Sequence, residues 1–180
     1  KRQGLQWEVG NHRLEAGVWA EKDVFNRLQA RYNLTDGSPA GDPLLNEPVH
    51  LQGDFTSTRD SLQLHLKDTW ALLDDRLLVQ YGFKRLQLDY RIEGQRNAGD
   101  YIAGRNPRLS TTWRDGFLPQ LGVVYNLTDS AQVFASYSEN MALPRGADDI
   151  YRAASPQAPA PEAERAKNYE LGWRLNRPTF

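Results

Sequence analysis

Apolar and polar residues alternate along most of this 180-residue chain with a period of two, leaving one largely apolar face. That is the pattern of a half-buried strand. It is clearest over residues 117–141. There Leu121, Val123, Tyr125 and Leu127 alternate with Gln120, Gly122, Val124 and Asn126, and Val133, Ala135 and Tyr137 alternate with Gln132, Ser136 and Ser138. Thr128, Asp129 and Ser130 lie between the two runs, and such side chains bond back to their own backbone in turns. The pattern predicts two strands and a tight turn.

The same logic covers the rest of the chain. Leu5, Trp7 and Val9 alternate over residues 3–10, and Asn11-His12 is expected to close a hairpin. Leu14, Ala16, Val18 and Ala20 then share a face whose parity resumes at Leu28, Ala30, Tyr32 and Leu34. This predicts one strand of about 20 residues, where ~5–6 is usual. Residues 36–50, rich in Pro and Gly, form a long loop. A strand starts near Leu51 and carries Leu62, Leu64, Leu66, Trp70 and Leu72 on one face, with Asp68 as a polar exception. Asp74-Asp75 marks the next tight turn. Leu77, Val79, Tyr81 and Phe83 follow, and the apolar parity then flips to Leu86, Leu88, Tyr90 and Ile92. One extra residue near Lys84-Arg85 would produce the flip, so a β-bulge is expected there. Residues 93–108 and 141–165 are loops, the second too Pro-rich for strand or helix interior. A strand begins between Leu109 and Phe117, and Tyr169, Leu171, Trp173 and Leu175 mark the last one.

The connections alternate strictly between tight and long, and the strands number about seven. Soluble sandwiches place turn signals every ~8–12 residues. Outer-membrane barrels have short periplasmic turns, long outer loops and strands that need only ~9–11 residues to cross the bilayer. The expected fold is all-β: one partial domain over residues 1–180, an antiparallel up-and-down transmembrane β-barrel segment that is incomplete as a barrel. Its apolar face would meet lipid, with Trp70 and Tyr125 in a periplasmic aromatic girdle. Glu15, Gln63, Lys67, Gln80, Gln87 and Gln120 would face a wet lumen. A soluble all-β core is the alternative.

Composition removes other classes. Lys and Arg number 22 against 23 Asp and Glu, so nothing points to nucleic acid. The absence of Cys excludes disulfides and thiolate metal sites. No run approaches 18 apolar residues, so no transmembrane helix is expected. His12, expected in a turn, His50, and His65, expected to face the lumen, make no metal spacing. Ser136 and Ser138 belong to no triad motif. No enzyme activity, cofactor or metal site is assigned. The chain starts at Lys1 without a signal-peptide pattern, and is expected to be an internal or processed segment.

Three stretches carry a resemblance: LQLHLKDTWALLDDRLLVQYGFK (62–84), FLPQLGVVYNLTDSAQVFASYSENMALP (117–144) and PEAERAKNYELGWRL (161–175). In this order they resemble the β-barrel of TonB-dependent outer-membrane receptors; residues 5–34 fit the architecture with less signature. The family's plug domain and energy-coupling box are missing, and its barrels have about 22 strands. The chain therefore resembles a piece of the barrel's later half. The resemblance implies a Gram-negative outer-membrane location, contact with lipid, and a plug and further strands elsewhere in the full receptor. It also implies energy from TonB through an N-terminal region, and a transported small ligand such as a ferric siderophore or vitamin-like cofactor. The loops 36–50, 93–108 and 142–165 are then the ligand surface, with Tyr101, Arg105, Arg145, Tyr151 and Arg152 as candidates. A passive porin-type barrel and a soluble all-β binding module are the alternative readings.

Overall fold

A computed structural model describes residues 1–32, 50–144 and 162–175. Seven strands form one antiparallel sheet in sequence order. They are β1 (Arg2–Val9), β2 (His12–Arg31), β3 (His50–Leu72), β4 (Leu77–Gln95), β5 (Arg108–Thr128), β6 (Ala131–Ala142) and β7 (Glu164–Leu175). A one-turn helix, α1 (Ala98–Ile102), lies between β4 and β5. β1 and β7 are the two edges, so the sheet is a barrel segment and is not closed. The expected meander of seven long strands is borne out, including β2 at 20 residues and β3 at 23.

The turns joining β1 to β2, β3 to β4 and β5 to β6 lie at one end, and the other end carries the long connections. The first hairpin closes one residue earlier than the sequence suggests. Gly10 and Asn11 form the turn, with Val9 opposite His12, because Gly10 takes the left-handed conformation (φ 58°) that such a turn needs. His12 is consequently a strand residue. Its ring stacks on Trp70 at 5.2 Å, and its Nδ1 lies 2.7 Å from Asp68 Oδ2, which also accepts from the Tyr81 hydroxyl. These partners explain the polar exception at Asp68: the carboxylate is only 6% exposed on an otherwise apolar face.

That outer face is an apolar belt. Leu5, Trp7, Leu62, Leu64, Leu66, Tyr81, Phe83, Phe117, Leu121, Val133, Tyr169, Leu171 and Trp173 are all solvent-exposed in this sheet, Leu171 to 85%. At about 3.3 Å per residue and a ~40° strand tilt, residues 62–72 of β3 rise about 25 Å, the height of a barrel's lipid-facing band.

The core lies elsewhere, on the opposite, inner face and toward the long-loop end. Phe55, Tyr90 and Ile92 pack with Leu109, Trp113 and Leu143, and Leu86, Leu88, Leu118 and Met141 continue the cluster. This corrects the cause assigned to the parity flip on β4. β3 and β4 stay in unbroken register from Leu72–Leu77 to Asp54–Gln95, so Leu77–Phe83 and Leu86–Ile92 point to opposite faces. The flip records a change of surroundings: apolar residues lie on the exposed outer face below Lys84 and in the core above it. A bulge does occur at this level, but the extra residue is on β5. Lys84 pairs with Leu118 and Leu86 with Asp115, leaving Arg85 opposite both Gly116 and Phe117. Because of it, β5 keeps odd parity for both tasks, Leu109 and Trp113 inside and Leu121 and Val123 outside. Gln87 is likewise corrected: it shares the outer face with Asp89, to which its amide donates at 2.7 Å.

Candidate functional site

The inner face carries two levels of chemistry. At the height of the apolar belt it is polar. Glu15 of β2 pairs with Lys67 of β3 directly across the ladder, Nζ to Oε2 3.0 Å, and with His65 Nε2 at 3.5 Å. Gly17 makes room for the imidazole, since a Cβ there would lie 2.4 Å from His65 Cε1. Gln63, Gln80, Lys84 and Gln120 line the same recess. Of the residues expected to face the lumen, Glu15, Gln63, His65, Lys67, Gln80 and Gln120 do so. Directly opposed charges hold such a wall in register at little desolvation cost while it faces water.

Above this level a cleft of about 740 Å³ opens between β2, β3 and β4. Trp19, Phe25 and Tyr90 give it aromatic sides, and Leu86 and Leu88 an apolar floor. Asp23 and Arg59 face each other across the β2–β3 ladder at 2.7 Å. Glu21 and Arg27 complete the charged rim, and residues 141–144 form the opposite wall. Aromatic surface beside fixed charges is the usual make-up of a small-molecule site. These residues escape a sequence reading that looks for ligands in loops. The signal was nonetheless present: Trp19, Glu21, Asp23, Phe25 and Arg27 all occupy the odd parity of β2, opposite the outward row.

The loop candidates fare differently. Asn97 caps α1, its Oδ1 accepting from the Asp100 amide at 3.0 Å. Asp100, 2% exposed, is held by Arg96 Nε at 3.0 Å and by Arg105 Nη2 at 3.2 Å. Arg105 therefore ties the loop together, with its side chain otherwise exposed, and Tyr101 is half-buried in α1. The geometry brings neither into the cleft. Arg145, Tyr151 and Arg152 lie outside the described residues, as does most of the 36–50 loop.

Two carboxylates, Asp115 at the belt's upper boundary and Asp89 above it, are held in their charged form. The Phe117 backbone N–H donates to Asp115, and this, with Arg165 beyond it, outweighs partial burial and lowers the carboxyl below the usual range. For Asp89 partial burial is the largest single influence and opposes ionisation. Hydrogen bonds from Thr112 (2.5 Å) and Gln87 together with the Arg114 charge overcome it, and the net shift is again downward.

A family model described as "TonB dependent receptor-like, beta-barrel" matches residues 2–180. Among solved structures, the chain is similar to the crystal structure of BauA, the ferric preacinetobactin receptor from Acinetobacter baumannii. The TM-score is 0.52 at 16% identity, over 95% of this chain and 25% of that one. The chain thus spans about a quarter of that receptor's length, and the likeness is one of fold. No curated protein matches.

Proposed function

The chain belongs to the TonB-dependent receptor β-barrel family, and from that premise we propose that it supplies part of the wall and outer rim of an outer-membrane active-transport receptor. Its ligand would be a scarce small molecule such as a ferric siderophore or a vitamin-like cofactor, captured at the long-loop end and moved with energy delivered through TonB. The observation that carries the reading is the exchange of faces along β3, β4 and β5. Apolar residues point outward over about 25 Å on β3, a bilayer's worth of strand, and inward above it, where strands stand in water. The polar inner wall around Glu15, His65 and Lys67 suits a hydrated lumen or the polar surface of a plug. The cleft bounded by Trp19, Phe25 and Tyr90 is a second candidate ligand surface, beside the loop positions Tyr101 and Arg105.

The test is uptake by the full-length protein in cells lacking the native receptors for scarce chelates. Accumulation of a labelled ferric chelate that disappears when TonB is deleted is the expected result. Accumulation that continues without TonB makes the protein a passive porin-type barrel and overturns the reading. Recovery of the full-length protein in the soluble fraction, monodisperse without detergent, overturns the membrane assignment itself.

A further inference from the structure

The cleft between β2, β3 and β4 has four charged residues in its lining, Glu21, Asp23, Arg27 and Arg59, and is neutral as a whole. Its charges are not spread evenly. Asp23 and Arg59 face each other across the ladder and cancel at 2.7 Å. Arg27 stands at the long-loop end, where its guanidinium donates to Gln29 at 3.0 Å. Glu21 stands at the opposite end, next to Trp19 on the inner row of β2. At strand spacing its Cα is about 20 Å from that of Arg27. The cross-strand neighbour of Glu21 is Ser61, and beyond Ser61 lies Leu88. Glu21 is exposed and makes no hydrogen bond or ion pair among the described residues. The lower end of the cleft therefore presents an unpaired carboxylate beside an indole.

Its surroundings sharpen this picture. Residues 33–49, which join β2 to β3, carry Asp36, Asp42 and Glu47 and no Lys or Arg. They add negative charge to the field at the long-loop end of these two strands. The recess one level below the cleft has the opposite balance, with Arg2, Lys67 and Lys84 against Glu15. The unpaired acid is thus a property of the cleft and not of the whole inner wall.

We propose that the cleft selects a ligand carrying an ammonium group, seated between the Glu21 carboxylate and the Trp19 ring, and discriminates against multiply anionic chelates. The carboxylate supplies the counter-charge, and the indole adds the attraction of its ring electrons for a cation. Phe25 and Tyr90, on the rows above, are placed to cover the ligand's apolar body in the rest of the cleft. A trianion would meet an unpaired acid in a site with no net positive charge, and that mismatch works against it. The inference rests on the cleft as a ligand surface and narrows the class of molecule it takes.

The test measures equilibrium binding of radiolabelled iron chelates to the full-length receptor purified in mild detergent. Three probes are compared: a ferric tris-hydroxamate with a pendant ammonium, the same chelate with that amine acetylated, and a ferric tris-catecholate trianion. Wild type should bind the ammonium chelate about five- to tenfold more tightly than its acetylated twin, and the trianion least. Glu21→Gln should bring the two hydroxamates within about twofold of each other, and Glu21→Asp should restore part of the difference. A merely distorted site would weaken both hydroxamates alike and keep their ratio. An unchanged ratio in Glu21→Gln, or a trianion bound most tightly by wild type, overturns the proposal and leaves the transport reading standing. If none of the three binds, the chelate reading itself fails, and the proposal falls with it.

Discussion

Below Lys84 and above it, β3, β4 and β5 form one continuous sheet whose two faces exchange roles. In the lower region Leu66, Phe83 and Leu121 point outward, and Glu15, His65 and Lys67 inward. In the upper region Leu88, Tyr90 and Ile92 point inward and are buried, while Arg91 and Arg114 point outward. The β3–β4 ladder runs through both without a break, so on these two strands the difference lies in the surroundings and not in the register. On the membrane reading lipid rewards apolar side chains on the outer side, whereas above the belt they pack inward, against Leu143 just beyond the end of β6. On that reading strands of this length are two structures in series: a membrane wall, and above it a sheet with its own inner core.

The two regions are reconciled on β5 by the single extra residue at Gly116-Phe117. Deleting Gly116 is therefore the largest expected perturbation. A one-residue slip moves every side chain of the upper part of β5 to the other face. Leu109 and Trp113 would lose burial worth up to about 1.5–3 kcal/mol each, and Arg114 would turn into the apolar cluster. The full-length protein should fail to give the folded, fast-migrating form on unheated gels. Gly116→Ala is the control: a Cβ there meets nothing within 4 Å, so its stability should stay within about 0.5 kcal/mol of wild type. Normal assembly of the deletion would show that the bulge does not couple the regions.

This hinge also marks where the sequence was legible. Period-two alternation gives strands and tight turns directly, because turn residues and face periodicity are local properties. It gave β2 its full length and the inner orientation of Glu15 and Lys67. It could not say why the parity changes at Lys84, since an inserted residue and an exchange of environment write the same flip. On β4 the environment changed and the register did not. On β5 both changed, and the apolar parity stayed odd with no visible sign of the bulge. The cleft was missed for a related reason. Trp19 and Phe25 are distant in sequence from Tyr90, and only the pairing of β2, β3 and β4 puts them together. Asp100 gives no sequence hint that it would bury itself and claim Arg105.

Two substitutions measure the regions separately. Ile92 is fully buried in the upper cluster, and Ile92→Ala should cost about 2–5 kcal/mol, because the site loses both transfer energy and packing. Leu121 is near the middle of the belt, and Leu121→Arg should cost about 2–4 kcal/mol, the penalty for a cation at the bilayer midplane. Thr112→Arg on the same outer face above the belt should cost no more than about 1 kcal/mol, an exposed ion pair to Asp89 standing in for the hydroxyl's hydrogen bond. Urea unfolding of the full-length protein in lipid vesicles measures all three. Equal costs for Leu121→Arg and Thr112→Arg would place both positions in the same solvent and dissolve the distinction.

The smallest effect concerns the link at Asp115, which sits at the boundary and accepts from the Phe117 amide while reaching Arg165 on β7. Its carboxyl titrates below the ordinary range, principally through the Phe117 N–H. A group depressed on folding stabilises the native state above its unfolded value, about 3.9 for Asp, and that contribution fades as pH falls through the lower folded value. Arg165 is largely exposed, so the ion pair itself is worth under about 1 kcal/mol. The expected outcome is local: hydrogen exchange at the Phe117 amide should quicken below this range relative to its neighbours, after correction for intrinsic rates. In Asp115→Asn, where an amide oxygen still accepts but carries no charge, the pH dependence should vanish. If Phe117 protection is flat with pH in the wild type, the bulge is held by its backbone pairing alone, and the carboxylate is incidental to the boundary.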